Sequence, residues 1–330
     1  MMSAIVKAIS LFLAELIALF SPLSNLTGDR QGAIARAEEN CNASFAVISD
    51  THITSAIRGG VLELGLMDMA NAEEKLDAVV FDGDITDHGA TEMWDVFADT
   101  MAKYEVAEQT ILAIGNHDTW GPVDGDLELT TQTFIDYNKK ISGREITKRY
   151  YTTEINGYPV IVLASEGDHT YADVSDEQIQ WFAAEMAKAS LKGLPIFVFM
   201  HQPINETHGL PYTWEMDKSD PPEKGGIGDA SDAIFDIIKQ YDNVFYISGH
   251  IHAGFSVGGL FSTAVSVEKY DGYTLVNVPC YMYPDVQRGG NVTNGTGYVF
   301  EMYDDHVLIR ARNFSTGTWC TKYDEVIELV

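Results

Sequence analysis

The sequence predicts an α/β fold built on a mainly parallel sheet, with antiparallel strands added at the C-terminal end. Three observations point there. From Ser44 onward, short apolar runs alternate with segments of helical spacing. Each early run stops at a polar cluster, so strand–motif–helix units follow one another and imply crossover connections with parallel pairing. From residue 261 to the end, aromatic and β-branched residues alternate between Gly and Asn turns, the pattern of antiparallel strands.

The elements follow in order. Residues 45–49 read as a buried strand ending at Asp50, and 61–75 have helical spacing. Residues 78–81 form the next buried strand, ending at Asp82-Gly83-Asp84, and 92–103 the next helix. Residues 110–114 are a strand that runs into Gly115-Asn116-His117-Asp118. A loop is expected over 119–129 and a strand over 159–164. Ser175-Asp176-Glu177-Gln178 is a capping box that opens a helix to about Leu191, with Trp181 and Phe182 on its apolar side. Residues 196–200 are a strand ending at His201, followed by a Pro/Gly-rich loop over 205–228, expected to wall the substrate site, whose Tyr212 and Trp214 are candidates to stack on a bound group or else pin the loop. A helix over 229–241 and a strand over 244–248 complete this part, and the strand ends at Gly249-His250-Ile251-His252.

The chain has 330 residues, 45% of them hydrophobic, which suits one large domain over 41–330, with the β-rich region 261–330 as part of it. Residues 1–40 read as a signal-like or disordered segment. Lys7 precedes an apolar run over 8–20, and Ala35-Arg36-Ala37 offers a small-x-small cleavage pattern, so export is expected, with the cytoplasm as the alternative. That run, interrupted by Glu15, is too short to span a bilayer. The 49 acidic residues outnumber 21 basic ones, a net charge of −28, which disfavours a nucleic-acid polymer as partner. An anionic substrate then needs locally supplied positive charge, and metal ions are the economical source. Cys41, Cys280 and Cys320 show no paired spacing that would mark a thiolate metal site. Nothing in the sequence sets the oligomeric state.

The chemistry-bearing residues are Asp50, His52, Asp84, Asn116, His201, His250 and His252. Each follows an apolar strand, and the C-terminal edge of a parallel sheet is where ligands bind. Imidazole nitrogens with carboxylate and amide oxygens suit borderline divalent ions such as Mn, Zn, Fe or Co. Seven such groups exceed the needs of one ion and suit two that share a carboxylate. Two ions about 3.5–4 Å apart can share a hydroxide and act together on one anionic group. His117 is better placed to protonate a leaving oxygen than to ligate beside Asn116, with Asp118 expected to orient its ring. Arg58 is a candidate phosphate contact. Trp94 and Trp120 are expected to fill the core, and His169, His208 and His306 lack motif context.

Asp50-x-His52, Gly83-Asp84, Gly115-Asn116-His117-Asp118, His201 and Gly249-His250-x-His252 resemble the five ordered blocks of the calcineurin-like metallophosphoesterase superfamily, over residues 43–312. The resemblance implies two mixed β-sheets packed as a sandwich flanked by helices. It implies Asp50, His52 and His252 on one metal, Asn116, His201 and His250 on the other, Asp84 bridging, and His117 paired with Asp118 as catalytic groups. It implies a phosphoesterase acting on a small phosphate ester. Similar bacterial proteins are grouped with cyclic-nucleotide phosphodiesterases, so a small phosphodiester or cyclic nucleotide is expected; the alternatives are a secreted monoesterase or nucleotidase and a non-catalytic scaffold. Relatives with a ferric–tyrosinate site carry Tyr three residues after the bridging Asp; Asp87 stands there here, so such a site is not expected, and Asp87 and His88 are expected to hydrogen-bond loops or metal ligands.

Overall fold

The computed structural model describes residues 30–120, 126–167, 170–208, 226–255, 266–282 and 294–330. Its strands in the first half are β1 (Arg30–Gln31), β2 (Ala43–Ile48), β3 (Leu76–Asp82), β4 (Ala107–Ala113), β5 (Tyr151–Ile155), β6 (Tyr158–Val162) and β7 (Ile196–Phe199). In the second half they are β8 (Val244–Ser248), β9 (Val267–Lys269), β10 (Tyr273–Asn277), β11 (Thr296–Met302), β12 (His306–Asn313), β13 (Thr318–Trp319) and β14 (Glu325–Glu328). The helices are α1 (Ala56–Ala70), α2 (Thr91–Met101), the single turn α3 (His117–Trp120), α4 (Leu127–Ser142), α5 (Asp176–Ser190) and α6 (Ser231–Ile238).

Two mixed sheets result. One has the order β1-β13-β12-β11-β2-β3-β4, with β14 also on β12; the other runs β5-β6-β7-β8-β10-β9. Within them β2-β3-β4 and β6-β7-β8-β10 are parallel, as crossover helices require. The apolar inner faces of the two sheets meet. Phe45 of β2 stacks on Phe300 of β11 at 4.8 Å and meets Phe197 of β7 edge-on at 5.0 Å. Helices α1 and α2 cover the outer face of the first sheet, where Phe81 packs on Phe97 at 4.9 Å. A second core, with Phe182, Met186 and Ile238, lies between the other sheet and α5 and α6. The expected sandwich flanked by helices is what forms.

Several expectations need correction. Helix α1 starts at Ala56 and stops at Ala70, so 61–75 was displaced toward the C-terminus. The loop over 119–129 is cut into at both ends by α3 and α4, and 121–125 lie outside the described residues. Helix α4 and strand β5 were not foreseen. The antiparallel reading of the tail holds for β11 to β14, but β10 pairs in parallel with β8, because the chain crosses back into the second sheet. The capping box closes only half-way. Ser175 Oγ accepts from Gln178 N–H, but the Ser175 N–H donates to Glu166, because the Gln178 side chain is bound to Ala164 and Glu166.

Residues 30–40, grouped with the leader on sequence grounds, meet the domain: β1 pairs with β13 and Ile34 joins the core. The stretch 1–29 and the loop positions Tyr212 and Trp214 lie outside the described residues. The foot of that loop is tied by Asn205, which exchanges hydrogen bonds of 2.8 and 3.2 Å with the backbone of Gly228. None of the described helices is long and apolar enough to cross a membrane.

Candidate metal centre

The parallel strands of both sheets end on the same side of the sandwich, and their ends deliver the polar clusters to one place. Asp50 and His52 follow β2, Asp84 follows β3, Asn116 and His117 follow β4, His201 follows β7, and His250 and His252 follow β8. The chain turns sharply as it leaves these strands. Asp50, His52, Asp84, His250 and His252 all have positive φ, between 41° and 69°. A non-glycine residue in that region costs about 1–3 kcal/mol, and it persists only where the surroundings enforce it. Here backbone bonds do so: Asp50 N–H donates to Gly83 C=O at 3.1 Å and His52 N–H to Asp84 C=O at 2.9 Å. Gly83 and Gly249 are required by space: a Cβ on Gly83 would lie 2.5 Å from the His201 ring, and one on Gly249 only 1.9 Å from Ser49 Oγ.

The two carboxylates are held in the same way. Asp84 Oδ1 accepts the His117 N–H at 2.9 Å, and Asp50 Oδ2 accepts the His250 N–H at 3.2 Å. Their other oxygens, Asp50 Oδ1 and Asp84 Oδ2, are buried and, like Asn116 Oδ1 and His201 Nε2, make no well-aligned hydrogen bond. These atoms face one volume. His201 Nε2 lies 3.1 Å from Asp84 Oδ2 and 3.8 Å from Asp50 Oδ1; His52 Nε2 lies 3.8 Å from both oxygens, and His252 Nε2 3.3 Å from Asp50 Oδ1. Two sets of ligand atoms, Asp50/His52/Asp84/His252 and Asp84/His201/His250, each fall within 4.8 Å of one another and share Asp84. Orphaned buried oxygens beside imidazole nitrogens are the donor set of a borderline divalent cation, so the residues fit the group.

Electrostatics agree. Burial works against charge on every group, yet the imidazoles, His201 first, hold Asp84 well below the usual carboxylate range and Asp50 down to about 2. Burial likewise opposes a charged His201, but Asp84 and Asp50 override it and push the ring up to about 10. In the metal-free protein the His201 proton thus stands where a cation would sit. Burial keeps His52 and His250 low and therefore neutral, the form that ligates.

The imidazoles are fixed from behind. His201 Nδ1 donates to the Asp82 carbonyl at 2.7 Å, His117 Nδ1 donates to the Asp87 carbonyl at 2.9 Å, and His52 Nδ1 lies 3.2 Å from Asp87 Oδ1. Three expectations are corrected by these contacts. Asp118 does not touch the His117 ring; its carboxylate accepts from Ile85 N, Thr86 N, Thr86 Oγ1 and Gly115 N, at 2.7–3.1 Å, and locks the turn that carries Asp84. Adjacent residues of a helical turn diverge, so His117 and Asp118 cannot both face the site. Arg58 is buried and donates to the His52 carbonyl and toward Asp87 Oδ1, so it braces a ligand loop and is withdrawn from a phosphate. Trp94 fills the core as expected, but Trp120 lies against the His117 ring, 3.9 Å between centroids.

Sequence reasoning missed two groups. Asn277, at the end of β10, donates its amide to the Gly249 carbonyl and steadies the His250 turn. Asp82 is buried with neither carboxylate oxygen bonded, and burial raises it well above the carboxylate range. An acid closing an otherwise apolar strand was the available signal for Asp82; Asn277 offered none.

The calcineurin-like phosphoesterase family model matches residues 43–254. A probable cyclic nucleotide phosphodiesterase of Rhodococcus erythropolis is 26% identical over 70% of this chain and 68% of its own. A probable glycerophosphodiester phosphodiesterase of Arcobacter nitrofigilis is 24% identical, over 62% and 70% of the two chains. Among solved structures, a dimetal phosphatase from Danio rerio superposes over 88% of this chain and all of its own, with a TM-score of 0.56 and 13% identity, a likeness of fold.

Proposed function

This chain belongs to the calcineurin-like phosphoesterase family and is a metal-dependent phosphoester hydrolase, and from that premise we propose that it cleaves small phosphodiesters, cyclic nucleotides among them. The metal-dependent chemistry rests on the convergence of Asp50 Oδ1 and Asp84 Oδ2, both buried, on one ring of imidazole nitrogens, and the diester preference is supported by the two relatives named as phosphodiesterases.

In this reading Asp50, His52 and His252 hold one divalent ion, Asn116, His201 and His250 hold a second, and Asp84 is shared. Bound there, the ions would offset phosphate charge and acidify a water. The chain's own residues do the rest. His117 keeps its Nδ1 proton on the Asp87 carbonyl in either charge state, so Nε2 is the atom that carries the mobile proton. That nitrogen lies 4.0 Å from Asp84 Oδ2, at the rim of the cluster. As the water oxygen gives up a proton to solvent and forms its bond to phosphorus, the ester P–O bond breaks and the leaving oxygen takes the proton from His117 Nε2, which solvent later restores. Export of the protein is part of the proposal, on the strength of Lys7 and the apolar run over 8–20; the 35–37 pattern does not support it, since a cut there would remove β1 and Ile34 from the folded domain.

A panel of bis(p-nitrophenyl) phosphate, p-nitrophenyl phosphate, 3′,5′-cyclic AMP and glycerophosphoethanolamine, run with Mn, Zn, Co and Fe, tests the substrate class. Diesters are expected to be turned over faster than the monoester. A preference for the monoester would instead favour the phosphate-scavenging alternative.

A further inference from the structure

Beside the ligand cluster stands a group of rings that phosphoester hydrolysis does not require. Trp120 is tilted by 37° against the His117 ring. His88 stacks 6.2 Å from Trp120 and 6.4 Å from His117, within 27° and 21° of parallel. Exposure rises outward through this group, from the buried His52 to His117, 21% exposed, and the His88 side chain, 57% exposed. Trp120 is half-buried and packs with neither hydrophobic core among the described residues, whereas Trp94 lies among Phe97, Phe134 and Tyr137. The indole is therefore spent on the margin of the site.

We propose that Trp120 and His88 form the surface on which the leaving group lies, selecting phosphodiesters whose leaving group carries a flat heterocyclic or aromatic ring. The inference rests on the hydrolase reading above. A leaving oxygen protonated by His117 must sit within about 3 Å of its Nε2. The remainder of the leaving group then passes the His117 ring, and the next rings outward among the described residues are Trp120 and His88. An indole face beside an imidazole attracts a stacked π-system, and glycerol has none to offer. His88 Nε2 lies 3.4 Å from Asp87 Oδ2, which anchors the outer ring to the residue that also holds His52 and His117.

The test uses the metal-loaded full chain, 3′,5′-cyclic AMP and glycerophosphoethanolamine. Both substrates leave as alkoxides, so leaving-group acidity does not separate them. Trp120→Ala is expected to raise the KM for cyclic AMP about three- to tenfold more than that for glycerophosphoethanolamine, the scale of one aromatic contact. Trp120→Phe is expected to restore most of the difference, and His88→Ala, at an exposed position, to reproduce part of it. In calorimetry, 5′-AMP should weaken against inorganic phosphate by the same factor. Equal losses on both substrates, or no rescue by Phe, would reduce Trp120 to a prop for His117 and overturn the inference. A wild-type protein that hydrolyses neither ester would refute the phosphodiesterase reading separately, and the AMP-against-phosphate comparison would still decide the role of Trp120.

Discussion

The ring of His117 is held from behind by Asp87, whose backbone carbonyl accepts the Nδ1 proton at 2.9 Å. The same residue places its carboxylate 3.2 Å from His52 Nδ1. One loop residue thus sets the ring orientation of a prospective ligand and of the prospective acid, while the sequence neighbour Asp118 serves the backbone of the Asp84 turn.

This division of labour separates the effects of Asp118 from those of His117. Asp118→Ala strands four buried donors and is expected to cost roughly 2–4 kcal/mol of stability. Urea denaturation of the metal-free protein reads that loss. An unchanged midpoint together with a slow enzyme would return Asp118 to the role of orienting His117.

His117→Ala is expected to keep both metals and to lose about 10²–10⁴-fold in rate, the scale of general acid catalysis. The loss should shrink for nitrophenyl esters, whose leaving groups need no proton. Equal impairment on good and poor leaving groups would leave His117 only a positioning role.

The His201 proton links metal binding to pH. Its folded pKa, about 10, stands above the ordinary 6.5, so the charge stabilises the metal-free fold fully below pH 6.5, and the benefit fades as pH rises toward 10. A metal must displace that proton. Binding at pH 7–9 should therefore release about one proton at this residue, and affinity should rise about tenfold per pH unit until His201 titrates. Calorimetry of Mn binding in buffers of different ionisation enthalpy counts the protons, and an affinity flat across pH 7–9 would contradict the assignment.

How much of this was legible in the sequence depended on how local each signal is. The ligand blocks were visible because each sits directly after an apolar strand, and strand ends are set by residues within a few positions. Their convergence followed from parallel pairing. Helix α4 carries local signals too, with Asp126 capping Leu129 N–H and Gly143 closing it at φ 71°, but its polar turns blur the apolar stripe. Asp87 was expected to bond a loop or a ligand, and it does; the roles of Asp118 and Arg58 were hidden because each acts on a partner about thirty positions away or on a backbone atom, and side-chain type alone does not reveal such contacts. The strain of the turns fell on the prospective ligands themselves and not only on the neighbouring glycines, which composition alone does not show.

Metal stoichiometry against activity, in the wild type and in Asp84→Asn, tests the central claim most directly. Chelated protein titrated with Mn should be inactive, bind two ions per chain, and gain phosphodiesterase activity as the second site fills. Asp84→Asn, which loses the oxygen shared by both ligand sets, should bind fewer than two ions and stay inactive. Two tightly held ions in that variant, or full activity in the chelated wild type, would contradict the account.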